Sequence, residues 1–189
     1  MSTNLEIGTT VPDAELPDEN GVLHRLSDLQ GDDLLVLHLS RGEHCPRERM
    51  FHRELLRLHE WSQVAFTQLV TVMPNDAHDL YRLKSATGAT WTFLSDTDLQ
   101  LQRHFDINEY TDEHHDYATV PHTLILSPGL RIERVYVGYW FWGRPSMEQL
   151  WVDLGEVFAS IKEDFDPTTP AARKAWAAAR NAQPAHATA

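Results

Sequence analysis

The stretch that most constrains this chain is "LLVLHLSRGEHCPRERMF", Leu34 to Phe51, because the spacing of its apolar residues changes period partway along. Leu34–Leu39 is a short apolar run of the kind that forms a central strand. From Pro46 the pattern turns helical. Phe51, Leu55, Leu58 and Ser62 share one face, Met50 and Trp61 flank it, and arginines and glutamates fill the rest. That is an amphipathic helix reaching about Ser62. Pro46 suits its first turn, where a missing N–H costs nothing. At the junction stands Cys45, the only cysteine in the chain.

The rest of the chain repeats this alternation. Pro12 and Pro17 forbid a helix over the first twenty residues, and Asn20-Gly21 marks a turn between two short strands. "LSDLQGDD" reads as a turn of helix closed by Gly31. "QLVTVM" (Gln68 to Met73) is a strand, "DAHDLYRLKSATG" a helix ending at Gly88, "TWTFLSD" an extended piece and "TDLQLQRHFDI" a helix. A polar loop follows over 108–120. His122 to Leu126 and the alternating "RIERVYVGYW" form a closing hairpin. Ser146 and Gln149 form a capping box for a helix to about Phe165. The Ala-rich tail, 166–189, is expected to be partly helical, with its last dozen residues disordered. The order β-α-β-α-β-β-α, with a cysteine after the first core strand, matches an α/β, thioredoxin-like core. One such domain over 1–165 accounts for the length.

Composition narrows the partners. Sixteen basic residues against 28 acidic ones give a formal charge of −12, which repels nucleic acid and anionic lipid. No apolar run approaches a membrane span, and the polar Met1–Leu5 lacks a signal-peptide core. A cytoplasmic location is the expectation. One cysteine cannot form an internal disulfide.

A cysteine at the start of a helix meets unpaired backbone N–H groups and the positive end of the helix dipole, both of which favour thiolate. Arg41, His44, Arg47 and Arg49 lie close in sequence and form a basic cluster in an acidic chain. A solvent-accessible anion at Cys45, nucleophilic toward peroxide, disulfide or another electrophile, is the expectation. The alternative is a small buried hydrophobe.

Several stretches, in the right order, resemble the peroxiredoxins, the alkyl hydroperoxide reductase/thiol-specific antioxidant (redoxin) group of the thioredoxin superfamily. "IGTTVPDAELPDENGVLHRLSDLQGDDLLVLHL" looks like the family's opening. "CPRE", Cys45 to Glu48, is similar to its Cys-Pro-x-Glu around the peroxidatic cysteine. "TFLSDTDLQLQRHFDI" and "TVPHTLILSPGLRI" are similar to later segments, the second to a cis-proline strand at Pro121. The resemblance covers about residues 5–163. It implies a thioredoxin-like fold, a central mixed sheet with helices on both faces, and a redoxin-type N-terminal extension. It also implies hydroperoxide reduction at Cys45 without a cofactor or metal. Two positions depart from the family. Gly42 stands where its Thr or Ser would bond the peroxide, and Pro121 where its thiolate-steadying arginine would fall. Arg41 or Arg144 is the candidate replacement for that charge.

With no second cysteine, a sulfenic acid on Cys45 needs an external thiol or a thioredoxin-like reductant. Glu48 in place of a second cysteine argues against a dithiol oxidoreductase. His44 is a candidate proton donor, and Glu48 a candidate organiser of the arginines. Pro46, Thr119 and His122 are candidates to line the substrate pocket. "DEHHD", Asp112 to Asp116, has no metal-ligand spacing. The run Tyr139 to Trp142 puts two aromatics on each side of a strand, so Trp142 joins the candidate pocket and a homodimer interface is plausible. Two other readings stay open: non-peroxidase thiol chemistry at Cys45, and a ligand- or partner-binding module without turnover.

Overall fold

The computed structural model describes residues 5–62, 65–108, 119–139, 143–162, 166 and 168–182. The expected DEHHD loop and the aromatics at 140–142, Trp142 included, lie outside them. An antiparallel hairpin opens the fold, β1 (Glu15–Pro17) with β2 (Leu23–Arg25). Asp18 shapes its turn, accepting the backbone N–H groups of Asn20 at 2.8 Å and Val22 at 2.9 Å. The short helix α1 (Leu26–Gln30) ends at Gly31.

Five strands make the main sheet: β3 (Leu34–Leu39), β4 (Thr67–Met73), β5 (Thr92–Ser95), β6 (His122–Ser127) and β7 (Arg131–Val137). Their spatial order is β5-β4-β3-β6-β7. β3 lies in the middle, parallel to β4 and antiparallel to β6. All six of its residues are buried, which is why its sequence is a run and not an alternation.

Alternation along β3 builds two cores. Leu35, Leu37 and Leu39 face the hairpin, α1 and α4 (Gln100–His104). Leu34 and Val36 face α2 (Pro46–Ser62), α3 (Ala77–Thr87) and α5 (Met147–Ile161). Leu55 and Leu58 of α2 are almost fully enclosed in this second core. Truncating either to alanine removes burial of the kind that typically holds about 2–5 kcal/mol. Helices thus cover both faces of a mixed sheet, as the resemblance implies.

Helix boundaries follow their caps. Asp76 accepts the Asp79 N–H at 3.1 Å, and Gly88 closes α3 in the left-handed region. Ser146 accepts the Gln149 N–H at 3.1 Å at the start of α5. The Gln149 side chain does not complete the expected box. It turns one helical step on to Asp153. α5 ends at Ile161, short of the expected Phe165, because Lys162 is extended at φ −116°. The tail holds α6 (Pro170–Ala182) with Ala172 buried. Part of the expected disordered dozen is therefore helical, and 183–189 lie outside the described residues. No cis peptide bond occurs among the described residues, so Pro121 is not the expected cis-proline. Its carbonyl accepts the Gly138 N–H at 2.7 Å. Trans is the ordinary preference of an X–Pro bond. No described helix is long and apolar enough to cross a membrane.

Candidate active site

β3 ends at Leu39 in the middle of the sheet, and the chain turns over Ser40–Cys45 before α2 begins at Pro46. Two backbone bonds shape that turn: Cys45 N–H to the Gly42 carbonyl at 3.2 Å, and Glu48 N–H to the Cys45 carbonyl at 3.1 Å. Cys45 therefore sits immediately before the first turn of α2, the placement read from the sequence. It is buried, not open to solvent as expected: it is 4% exposed.

Gly42 has a φ of +130°. A Cβ there would lie 2.9 Å from His44 Nδ1 and 3.2 Å from Asn75 Oδ1. The turn leaves little room for a side chain at position 42, where the resemblance led to the expectation of Thr or Ser. Gly42→Thr is expected to destabilise the fold by about 2 kcal/mol or more, from left-handed strain plus displacement of His44. Denaturant midpoints of the two proteins check this; equal midpoints would mean that the turn readily rearranges.

The expected basic cluster is only partly assembled. Arg49 is drawn to Glu43 at 2.6 Å, and Arg82 also reaches that carboxylate. The Arg41 carbonyl accepts the Thr119 N–H at 3.5 Å, which brings the buried Thr119 beside the turn. Pro46 is exposed at the helix start.

Glu48 does not order this cluster. Its side chain points into the protein, fully buried. His38 Nε2 donates to Oε2 at 2.7 Å and Ser40 Oγ donates to the same oxygen at 3.0 Å. Arg144 takes Oε1 through Nε at 3.0 Å and through Nη2. Burial is the largest influence on Glu48 and opposes its charge. His38, Arg144 and His52 together outweigh it, and hold the carboxyl well below the usual range.

Behind Glu48 lies a second buried chain of bonds. His52 Nδ1 donates to the Glu48 carbonyl at 2.7 Å, and its Nε2 meets Thr71 Oγ1 at 3.3 Å. Trp91 Nε1 donates to the same hydroxyl at 3.0 Å. Burial, and then the neighbouring His38, push His52 down to about 4, so its ring is neutral. His38 Nδ1 meets Thr123 Oγ1 at 3.0 Å.

Nitrogen and oxygen atoms of His38, Glu48 and His52 lie within 4.8 Å of one another, close enough to raise a metal. The ring nitrogens are already committed to Glu48, Thr123 and Thr71, and the Arg144 cation occupies the carboxylate. The donor set is that of a hydrogen-bonded network.

His122 and Pro121 fall apart from this group. His122 pairs with Leu39 in register, whereas its neighbour Thr123 pairs with His38 and bonds it. Alternation then places His122 on the sheet face away from Glu48. It is fully buried; Nδ1 donates to the Val120 carbonyl at 2.7 Å, and Nε2 has no hydrogen-bond partner.

The structure therefore brings Cys45, Glu48, Gly42 and Arg144 to one end of β3, and adds His38 and His52, which sequence reasoning passed over. Two signals could have found them: a histidine inside an apolar strand, and Glu48–His52 at helical spacing beside Phe51 and Leu55.

Comparisons with known proteins agree with this architecture. A family model described as the AhpC/TSA family matches residues 7–135. A comparison with curated proteins gives no match. Among solved structures, peroxidoxin BcpB from Mycobacterium tuberculosis aligns with a TM-score of 0.70 at 18% identity, over 84% of this chain and 99% of that one. Reduced Prx3 from Vibrio vulnificus in complex with H2O2 aligns at 0.71 and 18% identity, over 79% and 96%. Peroxiredoxin Q of Xanthomonas campestris aligns at 0.65 and 17% identity, over 85% and 99%. At these identities the structures share a fold with the chain.

Proposed function

The chain belongs to the AhpC/TSA family, and from that premise we propose that it reduces small hydroperoxides through Cys45 by a one-cysteine route. The Cys45 thiolate attacks one peroxide oxygen and an S–O bond forms as the O–O bond breaks. The leaving oxygen takes a proton and departs as water or alcohol. Sulfur is oxidised by two electrons and the peroxide is reduced by two. An external thiol then condenses with the sulfenic acid and releases water. A second thiol attacks the mixed disulfide, freeing Cys45 and a disulfide product.

The observation that carries this reading is the position of Cys45 on the first turn of α2, one turn from the Glu48–Arg144 pair. Helix amides stabilise the anion, and Arg41 and Arg144 are the candidates for a compensating cation. His44, packed against Gly42, is the candidate donor to the leaving oxygen. The low exposure of Cys45, 4%, favours hydrogen peroxide or small alkyl hydroperoxides over bulky ones.

The test is peroxide consumption with excess dithiothreitol, together with intact mass after one equivalent of peroxide. The wild type is expected to turn over and to gain one dithiothreitol-reversible oxygen. Cys45→Ser is expected to do neither. Equal rates for the two proteins would sink the proposal. Gly42 favours one alternative, since no hydroxyl stands at that position: the same thiol would act on a non-peroxide electrophile. Rapid alkylation of Cys45 without peroxide turnover would select that reading.

A further inference from the structure

A cavity of about 260 Å³ opens at the end of the sheet opposite Cys45. It lies between the last turn of α2 and the starts of β4 and β5, about 25 Å from Cys45 along the helix. Trp91 forms its buried wall, with the His59 ring 5.3 Å from it, centroid to centroid. Phe66 stands at the mouth, 67% exposed, stacked on Phe158 at 6.2 Å. Its backbone sits at φ +48°, a left-handed conformation that an aromatic residue adopts at a cost. The fold thus holds a large, mostly exposed apolar ring through a strained turn.

The polar side of the cavity is negative. Asp33 supplies a carboxylate, steadied at Oδ2 by Gln68 Nε2 at 2.8 Å. Ser62, the last residue of α2, also lines the cavity, so the carbonyl end of the helix dipole lies against it. Burial lowers the pKa of His59, with Glu60 opposing it, so that ring stands as a neutral aromatic surface at neutral pH. Aromatic faces beside a carboxylate attract flat cations.

We propose that this cavity binds a small planar organic cation. Its ring lies against Trp91 and His59 under Phe66, and its amidinium, guanidinium or ammonium head pairs with Asp33. Size agrees: a cavity of about 150 Å³ takes benzene, so this one has room for a ring and a head group. The site is separate from the thiol chemistry and does not depend on it.

The probe is benzamidine, compared with neutral benzamide and anionic benzoate, titrated into the full chain by NMR. The Trp91 indole N–H, assigned with Trp91→Phe, reports binding. Saturable benzamidine binding in the millimolar range is expected, with benzamide about fivefold weaker and benzoate not binding. Asp33→Asn should bring benzamidine down to the benzamide level. Phe66→Ala should weaken both, and Cys45→Ser neither. No saturation by about 10 mM benzamidine, equal binding of benzamide, or an unchanged affinity in Asp33→Asn would each overturn the proposal. If Asp33→Asn failed to fold, the wild-type benzamidine-to-benzamide ratio would decide the same question.

Discussion

Glu48→Ala is expected to lower the stability of the fold by about 3–5 kcal/mol, a large share of the roughly 5–15 kcal/mol that holds a typical domain together. The reason is what the substitution leaves behind. Arg144 gives two donors to Glu48 Oε1, and its side chain is only 10% exposed. His38 and Ser40 both donate to Oε2, and both are buried. Removing the carboxylate strands the Arg144 cation and two further donors where water does not replace the lost bonds. Glu48→Gln, which keeps the shape and loses the charge, should cost less. A double-mutant cycle separates the pair from simple loss of packing. Glu48→Met with Arg144→Met should be more stable than Glu48→Met alone, because the second change removes the stranded charge. Denaturant unfolding of the four proteins of the cycle, the wild type and Arg144→Met included, checks this. A loss below about 1 kcal/mol in Glu48→Ala would show that water reaches Arg144 and that the network is not closed.

The same cluster shows where the sequence stops being legible. Leu34–Leu39 could be placed as a central strand because burial on both faces leaves a one-dimensional trace. α2 could be placed because Phe51, Leu55 and Leu58 recur at helical spacing. Pattern rules assign a glutamate to solvent, and Glu48 goes inward because His38 and Ser40 meet it from β3 and its end, and Arg144 from 96 residues away. No local pattern carries that pairing. The histidine inside "LLVLHL" was a local clue, as was the Glu48–His52 spacing: a buried imidazole needs a partner, and the partner of His38 is the carboxylate one turn past Cys45. The position of Cys45 was legible from the strand-to-helix change. Its burial was not, because that depends on how the Gly42 turn closes over it.

Acid should unfold this protein early, with His52 as a principal cause. Its folded pKa is held down to about 4, whereas a free imidazole titrates near 6.5. Between those values the unfolded chain binds a proton that the folded chain refuses, so stability falls as the pH drops through this window. From pH 7.5 to pH 5 that difference amounts to about 2 kcal/mol for this one group. His122, lowered chiefly by burial, acts in the same direction. Glu48 adds to the loss at lower pH: its folded pKa is depressed, so its contribution is present above about pH 4.5 and fades as the unfolded carboxylate gains its proton first. His52→Gln removes the titrating ring and keeps a side-chain donor near the Glu48 carbonyl. Denaturant unfolding at pH 7.5, 6 and 5 should give a shallower pH dependence for the variant, the difference approaching 2 kcal/mol at pH 5. The variant should be the less stable protein at pH 7.5, where neutral His52 joins α2 to Thr71, and the gap should close or reverse on acidification. Parallel pH profiles for the two proteins would mean that His52 takes up its proton in place, and that the network behind Cys45 accommodates a second buried cation.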